Sequence, residues 1–270
     1  MLGWSINLFR VAGIRLAVHY SFFLLLAYDA WTGWRDDGWI GVACSTAIIL
    51  LLFTCVTLHE FGHALTAQRF GIRVPRILLL PIGGMAQFET IPREPGKELA
   101  ITIAGPAVNF AIVALLWPVA RPSTAVFESD LALSWTLVAQ LLTTINFGMG
   151  CFNLLPVFPM DGGRILRALL ALKWPYLIAT KWAVNLGKVL AIAGAVVMVH
   201  FFDNYLGALL FLFILMAGDM EYRTVKRQIA IEEHWAATLA RLAQTPPALD
   251  ITASPLNPPL PNLPEPPRLE

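Results

Sequence analysis

The chain has 270 residues and a formal net charge of +1; 57% of them are hydrophobic and 14% charged, with a mean hydropathy of +0.65. Soluble domains carry about 25% charged residues, so this composition excludes an ordinary soluble globule and places most of the chain in a bilayer. The net charge by itself says nothing about partners; no basic stripe or nucleic-acid motif is visible, so no nucleic-acid partner is expected, and Cys44, Cys55 and Cys151 all sit in apolar segments without a disulfide-like spacing.

Six apolar segments follow in order, at 16–31, 39–68, 99–120, 131–155, 177–200 and 205–217. A helical span needs about 20 apolar residues, which the second, third and fourth supply. The first is short, the fifth contains Lys181 and Lys188, and the sixth is confined between Asp203 and Asp219. Arg10 and Arg15 precede the first segment as in a signal peptide, but Tyr28, Asp29, Ala30 and Trp31 make a poor cleavage site, so it reads as a retained helix. With a cytoplasmic N-terminus, only Arg35 and Arg121 fall in outer loops and Lys188 within a span; every other Lys and Arg lies inside. That bias favours six spans with both termini cytoplasmic. Trp4, Trp31, Trp34, Trp39 and Trp174 near the segment ends read as interfacial anchors.

The expected fold is thus an all-α multi-pass membrane protein of about six transmembrane helices. Between the second and third segments, 76–88 is apolar but too short to cross. Pro81 and the Gly83-Gly84 pair suggest a membrane-associated, β-hairpin-like turn between two short strands. Residues 1–220 form the membrane domain, and 221–270 a cytoplasmic extension whose proline-rich composition from 246 reads as disordered.

The chemistry concentrates at His59-Glu60-Phe61-Gly62-His63. Histidines four apart share one helix face, so both can ligate one Zn²⁺ while Glu60 stands beside it to take a proton from the water the ion would hold. A charged residue at the centre of a membrane helix costs about 2.5–3.5 kcal/mol, which weighs against an accidental motif. His59 lies about 20 residues after Trp39, or roughly 30 Å along a helix, so the site falls toward the cytoplasmic side. A catalytic zinc keeps three protein ligands and one open position. Asp161 is the best third ligand: Pro156 and Pro159 break the fourth span, and Gly162-Gly163 lets backbone approach closely. A plain loop turn is the other reading of that stretch. Cys55, one turn before His59, is a small core residue or a thiolate ligand, and His19 a packing residue or a neighbour of the site. His200 and His234 lie away from it.

His59-Glu60-x-x-His63 followed by Asn153, Pro156, Pro159 and Asp161-Gly162-Gly163-Arg164 resembles the site-2 protease family of intramembrane zinc metalloproteases. Gly105-Pro106-Ala107-Val108-Asn109, Leu80-Pro81-Ile82-Gly83-Gly84 and His19-Tyr20-Ser21 extend the resemblance over about 14–167. It implies a peptidase binding one Zn²⁺ per chain through His59, His63 and Asp161. Glu60 would be the general base, and Asn109 would help hold substrate or steady the oxyanion, though Asn109 also fits a simple bond between helices. Segment 78–88, with Gly83, Gly84 and Met85, would hold an unwound substrate by strand addition or serve only as a packing turn. The implied partners are a single-span membrane protein substrate, membrane lipid and a regulatory membrane protein, in the bacterial cell (inner) membrane. Many members of that family carry a PDZ-like or CBS domain, and neither is expected from these residues. A peptidase of another lineage, with a downstream Glu ligand, finds no suitable motif; a non-proteolytic metal-binding or transport protein is the remaining alternative.

Overall fold

The computed structural model describes residues 4–90, 92–120 and 130–244. Arg121 and the proline-rich tail from Pro246 lie outside the described residues. The first two apolar segments form one continuous assignment, α1 (Tyr20–Arg69), but its backbone leaves the helical region at Asp37 (φ −138°, ψ 25°) and Gly38 (φ 59°, ψ −135°). A left-handed φ of this kind is open to glycine at little cost, and the chain reverses there. Phe22 packs edge-on against Phe53 with centroids 4.5 Å apart, Trp34 meets Trp39, and Ser45 Oγ donates to the Asp29 carbonyl. α1 is therefore a tight antiparallel hairpin with arms 20–36 and 39–69. Near its tip the arms touch through glycines: a Cβ on Gly41 would lie 2.0 Å from the Gly33 carbonyl oxygen.

The remaining helices are α2 (Pro95–Ala120), α3 (Asp130–Asn153), α4 (Asp161–Ala171), α5 (Tyr176–Phe202) and α6 (Tyr205–Gln244). α1, α2, α5 and α6 are long and apolar enough to cross a membrane by length and composition. With α1 counted as two arms, and with α3, six helical passages match the six expected segments. Lys188, awkward within the fifth, is paired at 2.6 Å with Asp219 of α6. α6 runs well beyond 217, so the division expected at 220/221 falls inside a helix.

The sheet is larger than a hairpin between the second and third spans. β1 (Ser5–Val11), β2 (Ile14–His19), β3 (Arg76–Leu80) and β4 (Gly83–Gln87) form a four-stranded sheet in chain order. β2 and β3 run parallel and the outer pairs antiparallel. Residues 16–19, expected to open the first span, belong to β2. The reason is an alternation within the apolar run: Ile14, Leu16 and Val18 face the core, where a strand presents every second residue. His19 then caps α1, its Nδ1 accepting from the Ser21 amide and paired with Ser21 Oγ. Ile77 and Leu79 of β3 share that core face and pack with Phe22, Phe53, Ala64 and Ala67 of α1. The sheet thus clamps the half of α1 that carries the two histidines.

The hairpin's glycine contact gives a direct check. Gly41→Val forces the two arms apart and should cost about 1–3 kcal/mol, the usual range for overpacking. Thermal unfolding of the detergent-solubilised protein measures it, and an unchanged Tm would contradict the close approach of the arms.

Candidate metal centre

α1 presents His59 and His63 one turn apart, both nearly buried, toward the N-terminus of α4, where Asp161 is the first helical residue. His59 Nε2 and His63 Nε2 lie 3.1 Å apart, and each is 3.2 Å from Asp161 Oδ2. Ligands 2.0–2.2 Å from a tetrahedral zinc are about 3.3–3.5 Å from one another, so the triangle has nearly the size of one face of such a site. His59, His63 and Asp161 are the group of potential ligands found among the described residues.

The hydrogen-bond network decides what the three atoms offer. The Ile101 carbonyl can only accept, so His63 Nδ1, 2.8 Å away, carries the ring proton. His59 is set through a longer chain that starts at another carbonyl. Asn146 Nδ2 donates to the Leu142 carbonyl, which orients that amide; its Oδ1 then accepts from Asn109 Nδ2. Asn109 Oδ1 therefore faces His59 Nδ1 at 2.6 Å and accepts its proton. Both Nε2 atoms are left as lone pairs, and Asp161 Oδ2 has no hydrogen-bond donor although it is buried. Three acceptors converging on one point, with nothing to donate between them, fit a cation. Two imidazoles and one carboxylate form a donor set suited to zinc.

Glycines let the walls close on this point. A Cβ on Gly105 of α2 would lie 2.2 Å from His63 Nε2 and 2.8 Å from His59 Cε1. One on Gly62 would lie 2.6 Å from the Ala104 carbonyl oxygen, so α1 and α2 touch backbone to backbone beside the site. The segment 154–160 folds over the start of α4 so tightly that a Cβ on Gly162 would meet the Leu155 carbonyl oxygen at 2.2 Å. The proline-broken end of α3 is therefore what brings Asp161 back to the histidines.

Glu60 is half-buried, and its Oε2 accepts from the Ala86 amide of β4 at 3.0 Å. Gly84 lies against the same side chain, since a Cβ there would be 2.5 Å from Glu60 Cγ. Gly83 and Gly84 are partly covered and Met85 is exposed, on β4, one of the sheet's two edge strands. Asn109 is fully buried, and in this structure its amide is occupied on both sides: Oδ1 by His59, Nδ2 by Asn146 and Met149 Sδ. It bonds His59 in this structure, a contact beside the substrate-holding or oxyanion-steadying role that the resemblance implied. Cys55 accepts from Asn146 Nδ2 and is a core residue, outside the three-ligand triangle. His19 is the helix cap described above, and His200 is exposed.

Sequence reasoning missed Ile101, Asn146 and Met149. A backbone carbonyl carries no side-chain signal. Asn146 did carry one, a polar amide within an apolar span, which is costly in lipid unless it is paired.

Comparisons with known proteins bear on the whole arrangement. The family model described as Peptidase family M50 matches residues 47–128 and 119–194. A zinc metalloprotease of Methanocaldococcus jannaschii is 37% identical over 230 residues, covering 83% of this chain and 62% of that protein. Stage IV sporulation protein FB of Bacillus subtilis is 33% identical over 129 residues, covering 47% of this chain and 42% of that protein. The chain thus spans less than two thirds of the length of either relative. The solved structure of a site-2 protease from Methanocaldococcus jannaschii superimposes with a TM-score of 0.55 at 36% identity, over 81% of this chain and 95% of that one.

Replacing Asn109 separates its two readings. A residue that fixes a ligand's tautomer and orientation typically changes metal affinity about 10- to 100-fold. Asn109→Ala should weaken zinc binding by that much in chelator competition. If zinc affinity stays at the wild-type level while cleavage falls, the side chain acts on the reacting carbonyl instead.

Proposed function

The chain belongs to peptidase family M50, the site-2 protease family, and from that premise we propose that it is an intramembrane zinc metalloendopeptidase cutting a membrane-anchored substrate within or near its transmembrane segment. The observation that carries this reading is the convergence of His59, His63 and Asp161 on one point, with Glu60 next to His59, in a chain of membrane-length helices.

His59, His63 and Asp161 would hold the ion, one per chain. Zn²⁺ bound there supplies a Lewis acid that polarises the scissile carbonyl and acidifies water. Glu60 accepts the proton of the attacking water and returns it to the leaving amine nitrogen. The Ala86 amide steadies the Glu60 carboxylate in the orientation seen. Because that donor lies on the edge strand β4, a substrate segment laid along β4 would arrive beside the base. Gly83, Gly84 and Met85 belong to this strand and offer backbone groups for strand addition. A transmembrane helix has its carbonyls occupied and must unwind before such pairing, so the substrate class is a single-span protein with a locally unstable helix. Release of a signalling or transcription-controlling domain and clearance of signal-peptide remnants both fit this chemistry.

The basic bias of one set of loops supports a cell-membrane protein with both termini cytoplasmic and the metal toward that face. Lipid surrounds the helices, and a separate regulatory membrane protein would control access.

Co-expression with tagged single-span proteins tests the proposal. Glu60→Gln should keep about one zinc per chain and lose cleavage by about 10²- to 10⁴-fold, the usual contribution of a general base. Cleavage that survives in this variant would refute the peptidase reading and favour metal binding or transport. Asp161→Asn should lower zinc occupancy, measured by elemental analysis; full occupancy would remove it from the ligand set.

A further inference from the structure

Behind the ligand triangle lies a buried ionic cluster that the proposed chemistry does not use. Arg167, on α4 and 1% exposed, donates from Nε and Nη2 to Glu98 Oε1 at 2.9 and 2.5 Å. Glu98, 3% exposed, belongs to the first turn of α2. Arg167 Nη1 donates to Glu221 of α6 at 2.5 Å, and the Tyr176 hydroxyl of α5 donates to Glu98 Oε1 at 3.3 Å. The guanidinium also lies over the Phe158 ring, 5.1 Å from its centroid. With the Tyr176 ring centroid 5.0 Å from the guanidinium carbon, this one side chain touches α2, α5, α6 and the connection between α3 and α4.

Its placement matters because of what lies on either side. Arg167 is on the short helix whose first residue is Asp161. Phe158 is in the segment folded against Gly163, where a Cβ would come within 2.8 Å of the Phe158 amide nitrogen. Glu98 precedes Ile101 by one turn, and the Ile101 carbonyl fixes His63; farther along the same helix Asn109 fixes His59. α2 therefore carries the groups that orient both histidines, and α4 carries the carboxylate they must meet. The Glu98–Arg167 pair is a direct polar link between those two helices.

We propose that Arg167 is a positioning residue for the metal centre: clamped by Glu98 and Glu221 and seated on Phe158, it holds Asp161 in register with His59 and His63. This rests on the peptidase reading for the identity of the metal but concerns ligand geometry alone. Burial works against the Arg167 charge, yet the carboxylates of Glu98 and Glu221 outweigh it and hold its pKa above the ordinary guanidinium value, so the clamp stays charged. A lysine cannot replace it, because a single ammonium on a flexible stem does not bridge two carboxylates in fixed planar geometry. The link to Glu221 also makes the seating of α6 felt at Asp161.

The test uses the full chain in detergent, with zinc affinity from chelator competition and the ligand-field spectrum of the cobalt-substituted protein as readouts. Arg167→Lys should weaken zinc binding about 10- to 100-fold, as for other groups behind a ligand, and shift the cobalt bands. Combined with Asp161→Asn, it should cost nothing beyond Asp161→Asn alone, because it acts through that carboxylate. Unchanged zinc affinity and an unchanged cobalt spectrum, or losses that simply multiply in the double variant, overturn the role. If Arg167→Lys is not monodisperse, Glu221→Gln at the more exposed arm decides: a smaller loss of zinc affinity supports the clamp, and no loss overturns it. A wild-type chain that binds no zinc overturns the peptidase reading and this role together. Zinc binding and cleavage by wild type with an indifferent Arg167→Lys overturn the role alone.

Discussion

Three acceptor atoms, His59 Nε2, His63 Nε2 and Asp161 Oδ2, face one another at 3.1–3.2 Å in a nearly dry interior. Such a cluster is repulsive among neutral lone pairs and a carboxylate, and it becomes favourable when a cation joins them. Much of the surrounding structure reads as the means of holding this arrangement. α2 supplies the carbonyl and amide that turn the rings, α3 supplies the asparagine that turns the amide, and the broken end of α3 returns Asp161 from a distant part of the chain.

Polar groups in a membrane interior must be paired, and that rule gives the network its order. Each amide orientation follows from the next, from the Leu142 carbonyl through Asn146 and Asn109 to His59. Close backbone approach is the companion device. Gly62 and Gly105 bring α1 and α2 together where larger residues would press on the imidazoles or on the facing carbonyl. Small residues at helix contacts serve the same end in membrane proteins generally, since lipid provides no hydrophobic force to drive helices together.

The small sheet flanks this centre. Its inner strands pack on the histidine-bearing arm of α1, and its edge strand β4 touches Glu60 through the Ala86 amide. Glu60 and the edge strand β4 are thus adjacent. The helices beyond α4 attach on the other side, where Glu221 and Tyr176 reach the Arg167 cluster.

The second to fourth helical passages were legible from apolar run length, because a bilayer sets a minimum length that few soluble helices imitate, and the bias of Lys and Arg supplied the count where the runs were short or interrupted. The three converging side chains were legible as candidates too: histidines four apart share a helix face by geometry, and a carboxylate between prolines and a glycine pair announces irregular backbone. The strand Ile14–His19 was hidden, since a short apolar run reads alike as strand or helix until its pairing partners are known. Asn109 was visible as a polar residue in a span, but not its occupation by His59 and Asn146, which depends on three helices meeting. The roles of the Ile101 carbonyl and of Arg167 lie in contacts between residues 38 and 69 positions apart. Local pattern determined the membrane-length helices and the residue types of the candidate metal centre. Only the tertiary fold decided which ring nitrogens face Asp161 and which residues pack behind that carboxylate, because those depend on distances between segments that sequence spacing does not encode.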